Sequence, residues 1–177
     1  MSELTIRTLA GDDKSLASDD VDVLAANLRG ELVPQGAPGY DDARQIWNAM
    51  IDRRPALIAR CEGVSDVMQA VRFAREHNLL VSVRGGGHNI AGNALADGAM
   101  LIDLSSMRSV RVDPRTHTAR VEPGALLTDF DRETQAFGLA TPLGINSTTG
   151  IAGLTLGGGY GWLSRRFGLS VDNLLAA

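Results

Sequence analysis

The chain has 177 residues, 44% of them hydrophobic and 21% charged, values close to those of globular domains, which exclude a disordered or fibrous protein. A chain of this length buries about 70% of the surface of its unfolded form, so a real core is expected, as one compact domain or two small ones. A net charge of −4 offers no broad cationic surface to nucleic-acid phosphates; a single lysine and a single cysteine, Lys14 and Cys61, exclude pyridoxal and Walker-type phosphate sites, intramolecular disulfides and cysteine-rich metal clusters.

The opening sequence MSELTIRTLAGDDK has no basic region followed by an apolar run, and no stretch approaches the roughly 20 apolar residues that span a bilayer. With the lone cysteine, this reads as a cytoplasmic protein without a membrane partner. Residues 1–50 read as a helical lead-in arm that wraps around the rest of the chain. It has a helical pattern from Asp20 to Leu28, the breaker-rich GELVPQGAPGYDDAR, and a second helical stretch through Ile46, Trp47 and Met50. Residues 51–177 form the main domain, regular from Pro55 onward. There ALIAR at 56–60 reads as a strand, Ser65 caps a helix with Val67, Val71 and Ala74 on one face, and Asn78 ends it. LLVSVRGGGHN runs a β-branched strand straight into glycines, and MLIDLS at 100–105 is a second buried strand. Strands and a helix in this order are normally parallel, with a binding site at the strands' carboxyl ends. Val110 to Val112 and Thr118 to Val121 flank the turn residues DPRT as a hairpin. A helix from Ala125 to about Ala136 comes next, with Leu126, Leu127, Phe130 and Thr134 near one face.

Gly85, Gly86 and Gly87 follow their strand without a gap. Residues lacking Cβ let the backbone approach a ligand and adopt positive φ, and successive amides beside Arg84 suit a pyrophosphate. A tight turn demands glycine equally well, and one triplet leaves both readings open. The second cluster is denser: Gly144, Gly150, Gly153, Gly157, Gly158, Gly159 and Gly161 put seven glycines into eighteen residues, more than a turn requires. Ser147, Thr148, Thr149 and Thr155 set hydroxyls among them, as the phosphates and ribityl chain of a dinucleotide would require. Neither cluster has GxGxxG spacing, because the last position falls on Ile90 in one and Trp162 in the other. No GxSxG elbow occurs, and the three histidines lack metal-ligand spacing, so no metal is expected. Taken alone, His88 after its glycines reads as a loop residue, with His77 at a helix end and His117 in a turn.

VSVRGGGHNIAG and TGIAGLTLGGGYGWLSRRFGLSVDNL together resemble the flavin domain of the vanillyl-alcohol oxidase superfamily, closest in look to its berberine-bridge-enzyme-like and hydroxynicotine oxidases. The resemblance spans roughly Arg44 to Ala177, and two long motifs in the right order make it specific. It implies an α+β fold, the PCMH-type FAD-binding domain, built as two small α/β subdomains with FAD held between them. It implies FAD contacts from Arg84, Gly85, Gly86, Gly87, His88 and Asn89 around the pyrophosphate. Ser147, Thr148, Gly150 and Gly153 match the stretch along the phosphate and ribityl side, and Gly158, Gly159 and Tyr160 match a further turn. The residue matching His88 is bonded to the flavin 8α-methyl carbon, which suits an imidazole whose ordinary pKa of about 6.5 leaves it largely neutral. Many relatives add a second tether from a cysteine where this sequence has Asn146; asparagine forms no thioether, so covalent FAD through His88 alone is expected. Tyr160 and Trp162 read equally well as core aromatics.

By the same resemblance, relatives continue well past the segment matching VDNLLAA and add a substrate domain. The expectation is a C-terminally truncated FAD-binding domain, with the substrate domain absent and the catalytic residues unassignable. The implied activity is an oxidase that moves a hydride from a small organic substrate, a sugar, alcohol or amine, to FAD, with oxygen as acceptor. The alternative is a truncated or vestigial flavin-binding protein without turnover. Such a piece would expose surface its missing part covers, and self-association is expected.

Overall fold

The computed structural model describes residues 4–177, which divide into two compact units. The chain leaves the first unit after Arg84, returns at Asn89 and leaves again after Ser106; Gly85–His88 and Met107–Ala177 form the second.

In the first unit a hairpin of β1 (Leu4–Arg7) and β2 (Asp13–Leu16) precedes α1 (Ser18–Asn27), β3 (Glu31–Pro34) and the single turn of α2 (Tyr40–Ala43). After them come β4 (Leu57–Arg60), α3 (Val64–Glu76), β5 (Val81–Arg84) and β6 (Met100–Asp103). The sheet order is β3-β4-β6-β5, with β4 and β5 both parallel to β6 and β3 antiparallel to β4. The central strands are continuous apolar runs, as strands covered on both faces must be, and β6 is buried throughout. Val33, Ile58 and Leu101 pack with Tyr40 and Leu95 on one side of it, and the Tyr40 hydroxyl donates to the Pro55 carbonyl at 2.6 Å.

Three local readings change here. The opening residues supply strands as well as a helix, and they are knitted into the unit: the Arg7 amide donates to Gly98 O and the Leu80 amide to Arg7 O, both at 2.8 Å. Ile46, Trp47 and Met50 lie outside any helix. The Asn48 side chain accepts the Met50 amide at 3.2 Å, a local turn that competes with helical pairing, while Ile46 is drawn into the Tyr40 cluster. Finally, Gly63, not Ser65, precedes α3, whose inward face is Asp66, Ala70, Phe73 and Ala74, with Val71 exposed. Asp66 explains that rotation. Its fully buried carboxylate accepts the amides of Arg29, Gly30 and Glu62 at 3.0, 3.1 and 2.9 Å. Burial alone would raise its pKa, but the three donors outweigh it and hold the group below the ordinary carboxylate value. Asn78 ends the helix region in the left-handed conformation, φ 56°.

The second unit holds the hairpin β7 (Val110–Asp113) and β8 (Thr118–Val121), then α4 (Leu127–Gln135), α5 (Ile151–Leu156), α6 (Ser164–Phe167) and a 3₁₀ turn at Val171–Asn173. Its core joins Ala125, Leu127, Phe130 and Ile151 to Val110, Ala119, Val121, Leu143 and Leu154. Asp129 closes the start of α4 by accepting the Leu126 amide at 2.8 Å and a bidentate Arg108. Among the described residues, no helix is long and apolar enough to cross a membrane.

Candidate functional site

Arg84 ends β5 in register with Asp103 of β6, and Arg60 of β4 meets the same Asp103 from the other side. The Arg84 guanidinium donates to both Asp103 oxygens, at 3.0 and 2.6 Å, and to Gln45 O at 2.9 Å, and both side chains are buried. So the side chain adjoining the first glycine loop is committed inside the first unit, where it neutralises a carboxylate at the strand ends. Sequence reading passed over Asp103, although a charged residue closing the apolar run MLID is the signal that marks it. Asn89, also in the first unit, accepts the Asn93 amide on its side chain and the Gly92 amide on its carbonyl, each at 3.0 Å.

Within the second unit the two glycine clusters meet. Gly86 and Gly150 lie backbone against backbone: an added Cβ on Gly86 would sit 2.4 Å from Gly150 Cα, and one on Gly150 would sit 2.6 Å from Gly86 Cα. Gly85 is similarly close to Pro123 O, and Gly87 is buried at φ 67°. The stretch before Gly150 is anchored onto the start of α4, because Leu127 and Thr128 donate their amides to Thr149 O and Ser147 O at 2.9 and 3.0 Å. This anchoring brings Thr148 to His88, with Nε2 3.2 Å from the Thr148 hydroxyl. Asn146 completes the cluster by accepting both the Thr148 amide, at 3.1 Å, and its hydroxyl, at 2.9 Å. His88 is partly buried, and that burial lowers its pKa from the ordinary value.

The remaining site glycines fall into two kinds. Gly158 and Gly159 take φ of 107° and 68°, which a side chain would strain, and Gly159 packs against Ser170. The Ser170 hydroxyl there is buried and has no hydrogen-bond partner among the described residues. Gly153 is different. It lies inside α5, where glycine costs about 1 kcal/mol relative to alanine, and nothing stands within 4 Å of an added Cβ. Internal packing therefore gives no reason for glycine at 153, whereas close approach of a bound group does. Tyr160 and Trp162 are 72% and 83% exposed, so the core reading of both is set aside.

A buried orphan hydroxyl beside a glycine turn, an open helical glycine and an imidazole among hydroxyls suit a large phosphorylated cofactor, and the likeness to known proteins agrees with that chemistry. Residues 55–177 match the FAD binding domain family, and the chain belongs to that family of FAD-linked oxidoreductases, with the vanillyl-alcohol-oxidase type of fold. Over 151 residues it is 39% identical to (R)-6-hydroxynicotine oxidase of Paenarthrobacter nicotinovorans, covering 85% of this chain and 33% of that protein. Over 137 residues it is 34% identical to berberine bridge enzyme-like 8 of Arabidopsis thaliana, covering 74% and 26%. Among solved structures, 6-hydroxy-D-nicotine oxidase of Arthrobacter nicotinovorans superposes with a TM-score of 0.79 at 39% identity, covering 82% of this chain and 32% of the other. The grass pollen allergen Phl p 4, described as having glucose dehydrogenase activity, gives 0.80 at 29% identity, covering 87% and 34%. The chain thus spans about a third of the length of the relatives it matches.

Proposed function

We propose that this chain is the FAD-binding part of a flavin-dependent oxidase in which His88 carries the cofactor covalently. The observation that carries the proposal is the backbone contact of Gly86 with Gly150, which sets His88 beside Thr148 among the residues expected to meet FAD. Gly87, Ser147, Thr148, Gly150, Gly153, Gly158, Gly159 and Tyr160 would line the cofactor. The Arg84 and Asn89 side chains already have partners within the first unit. When bound, FAD supplies a two-electron acceptor for a hydride from a small sugar, alcohol or amine, and oxygen takes the electrons on. Asn146 offers no thiol, so attachment goes through His88 alone. His88 would hold the flavin through a ring nitrogen, giving up its N–H, and the bound flavin would supply the methyl carbon and the path by which the two electrons and two protons released reach oxygen. Lowered by burial, the imidazole keeps the neutral form this bond requires at neutral pH.

The experiment is to incubate the protein with FAD, precipitate it with acid and read flavin fluorescence in the washed pellet. Flavin retained by the unaltered chain and released from a His88→Ala variant is the expected result. A pellet without flavin from the unaltered chain would sink covalent attachment.

A further inference from the structure

The chain after His88 forms only turns until β6, yet a second segment without helix or strand, residues 48–54, runs along it within the first unit. Asn48 uses both ends of its carboxamide: Oδ1 accepts the Met50 amide at 3.2 Å, which leaves Nδ2 to donate to Ile90 O at 3.0 Å. The Arg53 guanidinium donates from Nη1 to Gly92 O and Leu95 O, at 2.9 and 2.8 Å, and from Nη2 to Ala91 O at 3.5 Å. The Arg54 amide donates to Asp97 Oδ1 at 2.7 Å, and Gly98 returns its own amide to Arg54 O at 2.9 Å. Between these bonds Ile51 lies against Gly92, where an added Cβ would sit 2.7 Å from Ile51 Cγ2. Carbonyls that converge on one point repel one another unless a donor stands between them, and a guanidinium offers several N–H groups in one rigid fork. Every side-chain hydrogen bond that Arg53 makes among the described residues ends on this loop.

We propose that residues 48–54 are a splint that presets the chain after His88 for the cofactor, with Arg53 and Asn48 as its positioning residues. Asn89 is joined to His88 by one peptide bond, so holding residues 90–98 limits where the cofactor-bearing residue can stand. Ordering of this loop is then complete on folding and no longer opposes the binding of FAD. The purpose rests on the reading of His88 as the tether, while the splint itself is a property of the cofactor-free chain.

The test compares the unaltered chain with Arg53→Ala and Asn48→Asp. The Asp variant keeps the acceptor for the Met50 amide and loses only the donor to Ile90, so the local turn survives. In the flavin-free protein the amides of Gly92, Asn93, Leu95 and Gly98 are hydrogen-bonded, and their exchange with solvent reads the loop directly. It should speed up about tenfold in Arg53→Ala and about three- to tenfold in Asn48→Asp, the worth of one neutral hydrogen bond, while exchange in β7 and β8 stays as it was. Affinity for FAD, titrated by flavin fluorescence in a His88→Ala background so that binding is read apart from bonding, should fall by similar factors. Millimolar guanidinium, far below denaturing concentrations, should restore part of the affinity lost in Arg53→Ala, a rescue that a merely less stable chain would not show. Unchanged exchange of the loop amides in both variants, or faster exchange with unchanged FAD affinity, would overturn the proposal. Flavin missing from the acid pellet of the unaltered chain, with these responses intact, would refute the tether and leave the splint standing.

Discussion

The first unit answers its two buried carboxylates, Asp66 and Asp103, from within, whereas the glycine-rich end of the second has a helical glycine and exposed aromatics that no internal contact explains. Asp66 is met by three amides, and Asp103 by Arg84, Arg60 and the Ser105 amide. From residue 153 to 170, by contrast, there is a helical glycine with open space beside it and two aromatic side chains in solvent; the buried Ser170 hydroxyl has no partner among the described residues, but neither do those of Thr8 and Ser82 in the first unit. The comparison teaches that adjacency in sequence to a glycine loop does not make a charged side chain a ligand. Arg84 stands next to Gly85, yet its guanidinium completes a sheet, and glycines that no internal contact requires are the better pointers to a bound group.

The sharpest way to break this contrast is to remove Asp103. Asp103→Ala leaves the buried Arg84 guanidinium uncompensated and is expected to cost about 3–5 kcal/mol, read as a lowered denaturation midpoint with faster amide exchange in β5 and β6. A loss below about 1 kcal/mol would mean that the Arg84 charge is solvated and available to a phosphate after all.

The second comparison sets two glycines of the same segment against each other. Gly150→Ala drives a methyl into the backbone of Gly86 and is expected to cost about 1–3 kcal/mol or more. Gly153→Ala meets nothing and is expected to stabilise the flavin-free chain by about 0.5–1 kcal/mol while weakening FAD binding about tenfold, measured by thermal unfolding and by flavin fluorescence titration. Should Gly153→Ala bind FAD unchanged, the open face of α5 is not where the cofactor lies.

Much of this was legible in the residues, and what was not has identifiable causes. The strands β4 to β8 and the helix α4 follow from apolar runs and turn residues, because burial on one or both faces dictates those patterns locally. The meeting of the two glycine clusters follows from their density, although sequence offered no reason for it other than a ligand, and the structure adds that Gly85, Gly86 and Gly150 are also needed for backbone packing. The face of α3 was misread because its orientation is set by long-range amide donors to Asp66, which no helical periodicity records. The strand at Glu31–Pro34 was hidden among glycines and prolines, since as an edge strand it draws its pairing from β4 rather than from its own propensity. Asn146 was visible only as a missing cysteine, because its work is done through a turn and a hydroxyl two residues away.

The smallest expected effect concerns one partly buried ring in the second unit and takes its sign from burial. His88 in the folded chain has a pKa below the ordinary 6.5, so the folded state binds its proton less readily than the unfolded state does. Above pH 6.5 both states carry the neutral ring and nothing changes. As pH falls from there through the lowered folded value, the unfolded chain takes up the proton first and stability declines. The same neutral form is the one able to bond carbon, so the rate of acid-stable flavin formation should be level above neutrality and fall with a midpoint below 6.5. Following that rate from pH 8 to pH 5 at saturating FAD, beside the unfolding midpoint over the same range, checks both halves of the argument. A midpoint above 6.5 would show that the imidazolium is favoured in the folded chain, against the sign that burial gives.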